Sequence, residues 1–266
     1  MKIATWNVNS IRTRLAHVGA WLETNPVDIL CLQETKVVEP DFPRAPFTDL
    51  GYSTYVSGQK SYNGVALISR TPLEHVSTGF APVLGDGVLD LDEQKRVITG
   101  VAGPLRVVNL YVPNGSAIDS DKYHHKLRWL SVLRDYLQAL LHPSDGSSVA
   151  CLICGDFNIA LEDRDIYNPE GRENLVMASE QERQALRAIL DLGFADTFRK
   201  FTEEAGHFSW WDYRAGAFRQ NKGWRIDHHY VTPDLYEKTI ACTIDPAPRQ
   251  LSQPSDHTPV VVELSL

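Results

Sequence analysis

Short apolar runs with the character of β-strands recur along nearly the whole chain, and helical patterns are too few to alternate with them. Residues 2–8, 27–33, 52–57, 63–70, 95–102, 105–112, 149–154, 206–211, 225–231, 239–244 and 258–264 read as strands. Helical periodicity is clear over 11–24, 119–141 and 179–192, the last opened by Ser179 with Glu182 at capping-box spacing. Strands in hairpin-like succession, with helices at irregular intervals, predict two packed mixed sheets flanked by helices: a four-layer α/β sandwich. No internal repeat or low-complexity tract interrupts the pattern, which argues against a solenoid.

A chain of 266 residues with 43% hydrophobic content can bury a sizeable core, and no linker-like composition break divides it. A single domain over residues 1–266 is expected. The start, MKIATWNVN, alternates like a strand and lacks the apolar region of a signal peptide; no later stretch is long and apolar enough to cross a membrane. A cytoplasmic monomer without a membrane partner is expected. Cys31, Cys151, Cys154 and Cys242 are too scattered for a disulfide framework. Cys151 and Cys154 form a C-x-x-C, but three residues apart on a strand they point to opposite faces, so buried thiols are expected rather than a shared zinc.

The formal net charge of −8 speaks against a broadly basic nucleic-acid-binding surface. An enzyme that gathers carboxylates around metal ions can nevertheless be acidic and keep a local basic rim. Lys36, Arg96, Lys122, Lys126, Arg128, Lys222 and Arg225 are the candidates, with ordinary surface solvation as the alternative for each.

The chemistry is expected where apolar strands end in polar residues: TWNVN, DILCLQETK, LYVPNG, ICGDFN, WRID and PSDHTP. Strand ends on a rigid scaffold are where sites are presented. Glu34 alone would be a surface carboxylate, but Asp156, Asp227 and Asp256 repeat its placement. Carboxylates converging on one spot repel unless a cation sits among them, and oxygen ligands suit magnesium or manganese. His257 beside Asp256 can pair with Asp227 and offer a charged donor to a phosphate oxygen. His124, His125, His228 and His229 read as surface or packing residues. Trp210, Trp211, Trp224 and Ile226 form an aromatic cluster, with Trp211 read as core.

In order along the chain, WNVNSIR, LQETK, SGQKSYNGVAL, YVPNG, GDFNIA, FSWWDYR, GWRIDH and SDHTPV resemble the exonuclease III family of abasic-site endonucleases, within the endonuclease/exonuclease/phosphatase superfamily. The resemblance implies a deoxyribonuclease I-like fold. It implies metal ligation by Asn7, Glu34 and Asp256, with Asp156, Asn158 and His257 also at the metal centre. Asp156 is expected to activate water, Asn158 to hold the water or phosphate, Tyr111 and Asn114 to contact the phosphate, and Asp227 to orient His257. Trp210, Trp224 and Ile226 match an apolar slot for a flipped-out sugar without its base, and Lys126 and Arg128 are expected to contact the substrate. Asn9 stands where other members carry aspartate, and residues 161–178 are the least family-like stretch.

The implied activity is magnesium-dependent hydrolysis of double-stranded DNA on the 5′ side of abasic sites, leaving a 3′ hydroxyl, with manganese able to substitute. Exonuclease action from the 3′ end and removal of 3′ phosphates and other 3′ blocks are expected alongside. A phosphatase for inositol phosphates or lipids would share the Glu, Asp-x-Asn and Ser-Asp-His skeleton but lack the GWRID and FSWWDYR segments. A DNA-binding regulator without catalysis should have lost carboxylate or histidine positions that are intact here.

Overall fold

The computed structural model describes residues 1–143, 149–172 and 174–266. Among the described residues, twelve strands make two six-stranded sheets. In chain order they are β1 (Lys2–Asn7), β2 (Ile29–Gln33), β3 (Ser53–Ser57), β4 (Val65–Ser69), β5 (Glu74–Thr78), β6 (Val97–Ala102), β7 (Leu105–Tyr111), β8 (Ala150–Asp156), β9 (Ala195–Asp196), β10 (Asp227–Val231), β11 (Thr239–Ile244) and β12 (Val260–Leu264). The helices are α1 (Ile11–Thr24), α2 (Ala45–Asp49), α3 (Ala81–Leu84), α4 (Leu89–Asp92), α5 (Asp121–Leu141), α6 (Glu180–Leu190) and α7 (Pro233–Glu237).

The sheets run β11-β12-β1-β2-β4-β3 and β5-β6-β7-β8-β10-β9. Each has one parallel pair among antiparallel ladders: β1 with β2, joined through α1, and β7 with β8, joined through α5. A parallel pair needs such a crossover, and polar residues at its carboxyl ends are where α/β sheets present ligands. Here those ends carry Asn7, Gln33, Tyr111 and Asp156.

The inner faces meet in a core of Ile3, Ile29, Cys31, Leu67, Val107, Leu152, Cys154 and Val231. Trp6, Leu30 and Leu32 face the other way, onto α1. The outer face of the second sheet packs on α5 and α6 through Val108, Cys151, Ile153, Trp129, Leu133 and Ile189. Helix, sheet, sheet and helix thus form the expected four layers. Cys151 and Cys154 fall on opposite faces and are free, buried thiols. One polar network crosses the inner core: Gln33 Nε2 donates to Asn109 Oδ1 at 2.7 Å, and Asn109 Nδ2 donates to the carbonyls of Leu32 and Ala66. Buried donors of this kind fix how the sheets register.

The long helices follow their caps. The Ser120 hydroxyl accepts from the N–H of Tyr123 at the start of α5, and Ser179 and Glu182 satisfy each other's backbone N–H groups at the start of α6. Residues 206–211, expected as a strand, form none; Trp210 makes only isolated bridges to Trp224 and His257. Among the described residues, no helix is long and apolar enough to cross a membrane.

Candidate active site

The site is assembled at the carboxyl ends of both parallel pairs. Asp156 ends β8, opposite Tyr111 of β7 on one side and Asp227 of β10 on the other. Gly155 before it is required by packing, since a Cβ there would lie 1.9 Å from the carbonyl oxygen of Leu110. From the other sheet, the side-chain amide of Asn7 donates to Glu34 Oε1 and to Asp156 Oδ2, each at 2.9 Å. One buried amide thereby brings together two carboxylates from different sheets. Glu34 and Asn158 sit in the left-handed region, with φ of 50° and 49°, as do Asn9 and Lys36. Such backbone persists in non-glycine residues where surrounding contacts over-determine it, commonly at functional sites.

His257 is 5% exposed and lies between two carboxylates: Nδ1 is 2.8 Å from Asp227 Oδ2, and Nε2 is 3.7 Å from Asp156 Oδ2. Burial opposes its charge, but Asp227 and Asp156 outweigh that and raise its pKa to about 10. Asp156 moves the other way from an ordinary carboxylate: burial, eased by His257 and reinforced by Asp227, pushes it up to about 7. Burial also works against Glu34, yet the Lys36 ammonium 2.8 Å away leads the interactions that hold it below its usual value. Burial and the Glu34 carboxylate keep the Tyr111 phenol protonated, its pKa well above the ordinary one, with the Arg96 guanidinium 4.5 Å over its ring.

Asn158 anchors its own turn by donating its N–H to Asp156 Oδ1 at 2.9 Å. Its amide donates to the carbonyl of Val112 at 3.0 Å and accepts from Asn114 Nδ2 at 3.0 Å. Asp256 accepts from Asn9 Nδ2 and from Trp210 Nε1, both at 3.0 Å. Burial raises its pKa, but His257, Trp210 and Asn9 hold it low. Asn9 therefore faces Asp256 as a donor.

The donor set fits a hard divalent cation. Glu34, Asp156, Asp227 and Asp256 are joined in one network of contacts, Asp256 through Asn9 and Lys36, in which Lys36 and His257 are the cationic partners. Among the described residues, Asp156, Asp227 and His257 bring metal-capable atoms within 4.8 Å of one another. In that cluster the positive charge is already supplied by His257, which as an imidazolium has no lone pair to give. Asn158 Oδ1, also expected at the metal, is engaged with Asn114. The other expected ligands, Glu34, Asp156 and Asp256, with Asn7 donating to the first two, offer oxygen donors of the kind hard divalent cations take.

Beside this cluster, Trp210 and Trp224 pack edge to face with ring centroids 6.5 Å apart. Gly223 permits the approach, as a Cβ there would come within 2.7 Å of the carbonyl oxygen of Trp210. Both tryptophans line a groove of about 680 Å³ with Leu175, Met177, Arg172 and Lys222. Ile226 lies beneath Trp224 in the same apolar cluster, buried. Residues 161–178 contribute the groove wall and Ile166; Glu173 of that stretch lies outside the described residues. Trp211 is core, as expected, packed on Phe208 and Ala217.

Two of the expected basic residues are corrected. Lys126 is fully buried and pairs with Glu182 at 2.5 Å, so it cannot touch a substrate. Arg225 is also buried, bound to Asp165 at 2.7 Å and Asp196 at 2.8 Å. Arg128 is exposed but forks onto Asp90. The signal for Lys126 was legible: it lies three residues from both Tyr123 and Trp129, on the apolar stripe of α5.

Carboxylates, amides and one held imidazolium at the joined ends of two sheets, next to an apolar groove, define a hydrolase of phosphate esters. The chain belongs to the endonuclease/exonuclease/phosphatase family, whose model matches residues 4–257. It is 34% identical to exodeoxyribonuclease III of Haemophilus influenzae over 99% of both chains. It is 32% identical to an exodeoxyribonuclease of Bacillus subtilis over 100% of both. Among solved structures it resembles an AP endonuclease from Archaeoglobus fulgidus, with a TM-score of 0.92 and 40% identity over 100% of both chains. A 3′ phosphatase from Neisseria bound to a product DNA hairpin matches with a TM-score of 0.92 and 38% identity, again over 100% of both.

Proposed function

We propose that this protein is a DNA-repair nuclease that hydrolyses the backbone on the 5′ side of abasic sites, leaving a 3′ hydroxyl, and that also removes 3′ phosphates and trims 3′ ends. The observation that carries this reading is the junction of the Asp156–His257–Asp227 cluster with the Trp210–Trp224 groove: Trp210 donates to Asp256, the neighbour of His257. Relatives named for exodeoxyribonuclease, AP endonuclease and 3′ phosphatase activity support it. A sugar without its base has lost most of the pairing that resists extrusion, and an apolar slot disfavours intact nucleotides.

In this reading Asp156, titrating near neutrality, takes the proton of the attacking water. Asn158 and Asn114 hold the water and a phosphate oxygen in line. His257, fixed by Asp227, donates from Nε2 to the phosphoryl group, and the protonated Tyr111 donates from the opposite strand. Metal dependence is general in the family; a bound magnesium, replaceable by manganese and held by Glu34 and Asp256, would supply Lewis-acid polarisation and charge relief at the leaving oxygen. The positioning itself is the larger share of what the protein contributes, since effective molarity can be worth roughly 7 to 11 kcal/mol.

The test is a duplex with one tetrahydrofuran abasic analogue beside an undamaged duplex, each with magnesium or with chelator. A single magnesium-dependent nick 5′ to the analogue is expected. Digestion from the 3′ end alone, or hydrolysis of inositol phosphates in its place, would displace the reading.

A further inference from the structure

Lys126 is a fully buried cation on the apolar face of α5, between Tyr123 and Trp129. Its ammonium donates to the main-chain carbonyl of Asn158 at 2.7 Å, to that of Asn114 at 3.2 Å, and to Glu182 Oε1 at 2.5 Å. Glu182 in turn accepts from the N–H of Met177 at 3.0 Å, from the N–H of Ser179 at 3.1 Å and from the Ser179 hydroxyl at 2.7 Å. Each ammonium proton thus has a partner, and both carboxylate oxygens are occupied.

Burying an ion pair costs several kcal/mol per ion in desolvation, and apolar residues of the same volume often serve stability as well or better. A methionine or leucine would continue the stripe of α5 without that cost. What the charge secures is specific: the turn after β7, the turn after β8 and the segment that walls the groove all meet at one pair. The two carbonyls that Lys126 holds belong to Asn114 and Asn158, whose side-chain amides contact each other at 3.0 Å beside Asp156.

We propose that Lys126, braced by Glu182, is a positioning residue for the hydrolysis: it sets the two turns so that the Asn114 and Asn158 amides stand in fixed register with Asp156. This rests on the nuclease reading above. Lys126 touches no substrate and acts through the main chain of the residues that do.

The experiment compares wild type with the double variant Lys126→Met/Glu182→Met, which refills the space with apolar groups and leaves no orphaned charge. Single-turnover cleavage of the tetrahydrofuran duplex, duplex affinity and the thermal midpoint are measured on each. The double variant should fold with a midpoint lowered by a few degrees, since the main-chain groups that met the pair lose their partners, keep its affinity, and cleave about 10- to 100-fold more slowly, because small misplacement of reacting groups costs rate rather than binding. A stable double variant with the wild-type rate, or one that loses binding and cleavage equally, overturns the proposal. Should the double variant not fold, Glu182→Gln is read by the same criteria. A wild type that leaves the abasic duplex uncut refutes the nuclease reading itself, which separates that failure from failure of the brace.

Discussion

Asp156 and Asp227 stand directly opposite each other on adjacent antiparallel strands, yet His257 touches only one of them: it is 2.8 Å from Asp227 and 3.7 Å from Asp156. The same ladder thereby produces two different carboxylates. Asp227 is committed to Nδ1 and fixes the ring, which leaves Nε2 as the donor facing Asp156 and the substrate side. Replacing Asp227 by Asn keeps the shape and removes the charge that sustains the imidazolium. Asp227→Asn should lower turnover ~10²- to 10⁴-fold with DNA affinity nearly unchanged. It should also bring the His257 pKa down from about 10, which a ring-proton NMR titration reads directly. An unchanged titration would remove Asp227 from this role.

Asn9 makes a second case of charge assignment. Its amide donates to Asp256 and its Oδ1 accepts from Lys36 at 2.5 Å, so it is a neutral link between that ammonium and that carboxylate. Asn9→Asp would set two carboxylates against each other at hydrogen-bond distance, a repulsion that a bound cation relieves. The variant should bind magnesium about tenfold more tightly by calorimetry. Without the cation it should have a lower thermal midpoint than wild type. An unaltered magnesium affinity would place the cation away from Asp256.

The basic rim is narrower than the chain's lysines and arginines suggest. Lys126 and Arg225 are buried and Arg128 is tied to Asp90, whereas Arg172 and Lys222 line the groove. Duplex affinity should fall steeply with salt, and Arg172→Ala and Lys222→Ala should each reduce the log–log slope by about 0.9. Arg128→Ala should leave the slope as it is. A slope that drops only in Arg128→Ala would move the DNA to the α5 face.

Most of the fold is legible in the sequence because its strands are buried on both faces or alternate cleanly, as β2 (ILCLQ) and β7 (LRVVNLY) do. β5 is not: EHVST is an edge strand with four of its five residues exposed, so it carries no apolar signal. The one-turn helices α3 and α4 escape for the related reason that a single turn has no period. Residues 206–211 mislead in the opposite direction. FSWW is apolar because it packs and walls the groove, and Trp210 pairs with Trp224 and His257 rather than with a strand. At the site, carboxylates at strand ends announce themselves locally, and Glu34, Asp156, Asp227 and Asp256 do meet. The partners of buried charge do not announce themselves, because they lie far along the chain, even where the burial itself can be read, as for Lys126 on the stripe of α5. Lys126 answers to Glu182, and Arg225 to Asp165 and Asp196.

His228, behind the site, predicts how the fold responds to acid. Its Nε2 lies 2.9 Å from the carbonyl of Ile159 and its Nδ1 lies 3.1 Å from the Arg225 guanidinium. A carbonyl can only accept and a guanidinium can only donate, so the ring is held neutral with its proton on Nε2. Burial, and then Arg225, lower its pKa from 6.5 to about 4, with Asp196 and Asp165 opposing. The unfolded chain therefore takes up a proton below pH 6.5 that the folded protein refuses until about pH 4. Stability from this group is complete above pH 6.5, declines as the pH falls through that window, and is lost at its lower end. Over that span the loss is about 3 kcal/mol. Urea unfolding of wild type and of His228→Gln at pH 7, 5.5 and 4 isolates it, since every other titrating group, Asp156 included, is common to both. The wild-type curve should lose about 3 kcal/mol more than the variant's between the end points. Parallel curves would mean that His228 takes up its proton in the fold at the same pH as in the unfolded chain, and that burial and Arg225 do not hold it neutral.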